Sequence, residues 1–147
     1  MQIKLLAPKL LLPLVAAVAV TLVSQAAEQQ VRAKVDVSKL PPASEKKGVT
    51  YAGDIKAIFD KACTKCHGEE KQKGKLRLDS LAATLQGGGD GKVLEPGKSA
   101  ESTLVHNVAR LGDEDYWMPP KDNKANIPAL TAAQVGLIRA WIDQGAK

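Results

Sequence analysis

The sequence predicts an all-α fold, a small domain of three to five helices joined by long loops. Three observations point there. Ile55, Ile58, Phe59 and Ala62 recur at the three- and four-residue spacing of one helix face. Thr131 and Gln134 form a capping box ahead of a second apolar face. No stretch alternates for long enough to suggest a strand ladder.

Taken in order, the chain opens on Lys4 and Lys9, an apolar run of 14 residues from Leu10 to Val23, and the small residues Ser24 and Ala26. This pattern reads as a secretory signal over 1–26. The run is shorter than the roughly 20 residues that span a bilayer, and Pro13 interrupts it, so a membrane enters only if the segment stays uncleaved. Residues 27–49 are polar apart from an alternating Val31, Ala33, Val35 and Val37, and contain Pro41-Pro42. They read as a linker or loosely attached N-terminal arm with at most one short strand. The domain is expected over 50–147.

Within it, the first helix carries the Ile55–Ala62 stripe, brings Cys63 to the edge of that stripe and stops near Gly68. Asp79 or Ser80 caps a short helix through Leu85, and the glycines after Gln86 end it. A further helix is expected from Ser99 to Arg110. Its Leu104, Val105, Val108 and Leu111 face inward, and its Thr103, His106, Asn107 and Arg110 face water. The last helix starts at the Thr131–Gln134 box, with Leu130 and Val135 as a hydrophobic staple, and ends at Gly145. Trp141 is expected in the core between the first and last helices.

Composition narrows the function. The formal charge of +5 falls to +3 when Lys4 and Lys9 are set aside, too weakly basic to argue for nucleic acid. Aromatic residues are 3% of the chain, so about 120 residues after the signal need another source of buried apolar area. Gly97-Lys98-Ser99 looks like the end of a phosphate loop. That motif requires glycine at position 92, where this chain has Lys92, and no apolar strand precedes it.

The two cysteines fall in one motif, Cys63-Thr64-Lys65-Cys66-His67. A thiol redox pair has this spacing but belongs in a strand-and-helix context that the sequence lacks. A zinc site needs four converging ligands, and adjacent Cys66 and His67 converge poorly. The remaining reading is covalent haem, one per chain. Two thiols join the vinyl groups and the next residue offers an imidazole to iron. Haem also supplies the missing apolar area. Met118 and His106 are the remaining side chains able to complete the iron's coordination. Met118 is preferred because it lies 51 residues after His67 in a loop stiffened by Pro119 and Pro120. An open position or His106 is the alternative.

The segments CTKCHG, KGKLRLDS, GGGDGKVLEPGKSAESTL, WMPP and WIDQGA resemble the planctomycete-type cytochrome c domain, a class I-like arrangement. The likeness covers roughly Thr50 to Lys147, with Lys73-Gly74-Lys75 where the family usually has Lys-Gly-Gly. The resemblance implies that Cys63 and Cys66 attach haem c, with His67 the proximal and Met118 the distal ligand. It also favours Arg77, ahead of Arg110, as a partner of a haem propionate. Trp117 is a candidate to pack against the haem edge, with ordinary loop packing as the alternative. Exposed Lys61, Lys65, Lys71, Lys73 and Lys75 are candidates to meet an acidic redox partner. The expected function is a periplasmic or secreted single-electron carrier rather than an enzyme. The alternatives are the haem subunit of a larger periplasmic oxidoreductase, and a haem sensor with an open sixth position.

Overall fold

The computed structural model describes residues 35–147. The signal reading of 1–26, and the arm over 27–34, lie outside the described residues. Four α-helices carry the fold: α1 (Lys56–Ala62), α2 (Leu81–Gln86), α3 (Thr103–Val108) and α4 (Ala132–Asp143). Among the described residues there are no strands, only isolated bridges such as His67 with Gln72. None of the described helices is long and apolar enough to cross a membrane.

The chain enters α1 through a π turn, Tyr51–Ile55, capped by Thr50. The Thr50 hydroxyl accepts from the Gly53 N–H at 3.1 Å, while the Asp54 carboxylate accepts from the Thr50 N–H at 3.0 Å. These bonds satisfy donors that a helix start leaves without partners. Ile55, Ile58 and Phe59 are buried, as their spacing predicts, and Lys56 pairs with Asp60 on the outer side at 2.8 Å. Helix α4 starts at the expected capping box and ends at Gly145, whose φ of 98° suits glycine. Its Trp141 packs edge-on to Phe59 at 6.2 Å and tilted against Tyr51 at 6.0 Å. Three of the five aromatics therefore form one cluster that locks α4 to α1 and the turn before it. Trp141 Nε1 donates to the Lys147 carbonyl at 3.0 Å and Tyr51 Oη to Leu78 at 2.9 Å, so burial leaves neither group unpaired.

Two expectations change. The helix expected over Ser99–Arg110 breaks at Ser102, giving a 3₁₀ turn (Ser99–Glu101) and then α3. The cause is the Ser102 hydroxyl, which donates to Lys98 O at 2.9 Å and accepts from Glu95 N–H at 3.0 Å. Such local bonds compete with a continuing helix.

The second correction concerns the arm. Residues 35–49 are a strap packed on α4, so the domain boundary expected at 50 moves to 35. Leu40 and Val49 enter the core. Ser44 N–H donates to Gly136 O at 2.9 Å, Gln144 Nε2 donates to Lys46 O at 2.8 Å, and the Arg139 guanidinium donates to Pro41 O. A Cβ on Gly136 would lie 2.6 Å from Pro42 O, so the absence of a side chain lets the strap approach the helix. No strand forms over Val35–Val37; Val37–Lys39 is a 3₁₀ turn.

Candidate functional site

Helix α1 ends at Ala62, and Cys63 is its C-cap. The chain then turns tightly: Cys63 O accepts from Cys66 N–H at 3.0 Å and from His67 N–H at 2.9 Å. This turn sends the two thiols and the imidazole towards one side. Gly68 completes it, because a Cβ there would lie 2.4 Å from Thr64 O. Beyond it, Lys73 N–H donates to Cys66 O at 3.0 Å and Leu78 N–H to His67 O at 2.7 Å. Both ends of the motif are thus held by backbone bonds.

The motif forms one wall of an apolar cavity of about 690 Å³, counting space open to solvent. Cys63, Cys66 and His67 line it together with Leu76 and Leu78. Helix α3 contributes Leu104, Asn107 and Val108. The far wall is the loop carrying Met118, Pro119, Pro120, Asn123 and Ile127. The four residues singled out in the sequence for attachment and ligation therefore share one cavity, although 51 residues separate His67 from Met118.

His67 Nδ1 lies 3.0 Å from the Lys73 carbonyl. A carbonyl only accepts, so Nδ1 carries the proton and the neutral ring keeps its lone pair on Nε2. Burial pushes the imidazole pKa down, against the opposing pull of the Lys73 carbonyl, which favours this neutral, ligand-competent form. Burial also pushes the Cys63 thiol up to about 12. A thiol held that high is protonated at neutral pH, unlike the low-pKa nucleophile of a disulfide-exchange pair. Both cysteines are free thiols.

The Met118 loop is fixed by more than its prolines. Met118 N–H donates to Asn107 O at 3.0 Å, and Arg110 donates to Pro119 O at 3.1 Å. Asn123 Nδ2 donates to Pro120 O at 2.7 Å and to Ile127 O at 2.9 Å, while its Oδ1 accepts from Ile127 N–H at 2.8 Å. Asn123 was not singled out in the sequence. Its position after Pro-Pro-Lys-Asp is the available signal, since Asn side chains commonly close turns on their own backbone.

Other sequence-predicted residues fall elsewhere. His106 does not point to water: it is 8% exposed and its Nε2 donates to Ala100 O at 2.7 Å. The break at Ser102 folds residues 99–101 back over it. His106 does not line the cavity. Arg77 also lies off the cavity, paired in bidentate fashion with Asp79 at 2.7 and 3.1 Å. Trp117 is not on the cavity wall; its ring lies between Arg110 at 5.8 Å and Lys121 at 4.6 Å. Asn107, expected on a water-facing side, lines the cavity instead. The five lysines around the motif are all exposed, with Glu69 and Glu70 among them.

Two buried donors, Arg110 Nε and Trp117 Nε1, have no partner within the described residues. They sit beside the Met118 loop and are suited to an acidic oxygen. The thiols, the Nε2 lone pair and the apolar walls fit a large apolar group that carries a metal.

Residues 63–122 match the family model described as Planctomycete cytochrome C. The matched segment begins at the first thiol and ends beyond Met118, so it contains Cys63, Cys66, His67 and Met118 but not the lining residues Ala62, Asn123 and Ile127. No curated protein and no solved structure matches the chain.

Proposed function

We propose that this chain, with its planctomycete-type cytochrome c segment, holds one covalent haem c and carries single electrons between redox partners in the periplasm or outside the cell. The convergence of Cys63, Cys66, His67 and Met118 on one apolar cavity is the observation that carries the reading. When bound, haem supplies a one-electron couple between ferric and ferrous iron.

The chain's residues do the rest. Cys63 and Cys66 would hold the macrocycle through their thiols. His67 offers Nε2, held in orientation by the Lys73 carbonyl. Met118 offers a thioether from a loop whose backbone is tied to α3. An iron held by His67 and a Met118 thioether would favour its reduced form. With His67 and Met118 both committed to the metal, the site would suit electron transfer rather than catalysis. Leu76, Leu78, Val108 and Ile127 exclude water from the site. Exposed Lys61, Lys65, Lys71, Lys73 and Lys75 lie around the motif, where a brief encounter with an acidic partner is favoured.

The test is the spectrum of oxidised protein made with haem-attachment machinery. The weak long-wavelength band of an iron–thioether bond is expected, and it is expected to vanish in Met118→Ala. A low-spin spectrum without that band, unchanged by the substitution, would overturn the ligand assignment. Rapid, complete carbon monoxide binding by the reduced protein would favour a sensor with an open sixth position.

A further inference from the structure

We infer that Arg110 is a positioning residue for Met118, its guanidinium holding the residues on both sides of the ligand so that competitors do not displace the thioether. The inference rests on the haem reading. Arg110 is not itself on the cavity wall. It follows the C-cap of α3, and its backbone takes a φ of 56°, the left-handed region that a β-carbon disfavours. Such a conformation costs free energy and persists where the surroundings over-determine it.

Those surroundings are the two neighbours of Met118. Arg110 Nη2 donates to the carbonyl of Pro119, the residue after the ligand, at 3.1 Å. The guanidinium carbon lies 5.8 Å from the ring centroid of Trp117, the residue before it, within reach of a cation–π contact. The two backbones also share one acceptor, since Asn107 O accepts from Arg110 N–H at 3.2 Å and from Met118 N–H at 3.0 Å. Trp117, Met118 and Pro119 are thus tied in succession to the end of α3. Lys121 Nζ adds a second cation 4.6 Å from the Trp117 centroid and bonds Glu114 at 2.8 Å. Both side chains of that pair are more than half exposed, so it contributes little alone. Arg110 is half-buried with its Nε fully covered, so water and salt weaken its contacts less. A neutral thioether competes poorly with an imidazole from solution. What keeps it on a metal is a loop already fixed in the ligating conformation.

The experiment titrates imidazole against the iron–thioether band of the haem-loaded protein and its variants. Arg110→Met removes the donor and the charge at similar length, and Trp117→Leu removes the ring that Arg110 meets. Each should bind imidazole roughly fivefold more tightly than the parent, the effect of losing one such contact. Trp117→Phe keeps a ring face and should stay close to the parent. Arg110→Lys keeps the charge without the planar fork and should fall between, which carries the test if Arg110→Met does not load haem. Gly136→Ala strains the strap on α4, away from this loop, and should leave imidazole affinity unchanged. Parent-like affinity in both Arg110 variants and Trp117→Leu would overturn the role of Arg110 and leave the haem reading intact. An equal rise in Gly136→Ala would also overturn it, because the effect would then be a general loss of stability. Absence of the iron–thioether band in the parent would instead overturn the ligand reading, and the inference with it.

Discussion

The His67 Nδ1–H donates to the backbone carbonyl of Lys73 at 3.0 Å, across a loop closed by Gly68 N–H on Lys71 O at 2.8 Å. One nitrogen of the ring is thereby committed to the protein and the other is left for a metal. Replacing His67 by Gln keeps a donor for Lys73 but removes the imidazole. The variant should retain covalent haem while its spectrum turns from low-spin to high-spin. A spectrum that stays low-spin would show that His67 is not a ligand.

Cys63 and Cys66 make a second, independent test. In the parent, haem should remain with the polypeptide under denaturing mass spectrometry. Each single Cys→Ser substitution should leave one linkage, and the double variant should release haem on unfolding. Release of haem from the parent would contradict covalent attachment.

Trp117 offers a test in which the sign of the effect is informative. Its Nε1, buried without a partner in the described chain, would cost about 1–3 kcal/mol if nothing bonded to it. Trp117→Phe would then be neutral or stabilising. If a haem carboxylate accepts from Nε1, the same change should destabilise the loaded protein by roughly 1–2 kcal/mol in denaturant unfolding. A neutral or stabilising result is expected, because Trp117 is not on the cavity wall. Arg77→Lys, on a side chain already paired with Asp79, should leave haem retention unchanged.

Gly136 reports on the strap. Alanine is usually favoured over glycine inside a helix by about 1 kcal/mol. Here its Cβ would approach Pro42 O to 2.6 Å, and overpacking of that kind costs about 1–3 kcal/mol. Gly136→Ala should therefore lower the melting temperature. A rise would mean that the strap is not held against α4.

These residues also mark what could be read from the sequence. Periodic apolar residues and caps act within a few positions of each other, so α1 and α4 were legible, as were the cysteine motif and Met118. The strap was not: its contacts join Pro41, Ser44 and Lys46 to α4, about 90 residues away, largely through main-chain carbonyls that any residue possesses. His106 was misplaced because the turn before Ser102 folds Ala100 back over it, and Asn107 because the distant Met118 loop packs against that side of α3.

Asp79 gives a pH signature away from the cavity. The Arg77 guanidinium, bonded to both carboxylate oxygens, holds its pKa below the usual carboxylate value. The folded state therefore binds this proton less readily than the unfolded state does. The pair's stabilisation is fully present above the unfolded carboxylate pKa. It is lost as pH falls through the lower folded value. Asp79→Asn should accordingly melt below the parent at neutral pH, with a gap that is flat above about pH 5 and closes in acid. Melting curves of both proteins across that range check the sign. A gap that widens as the pH falls would mean that Arg77 is not the partner that sets the Asp79 charge.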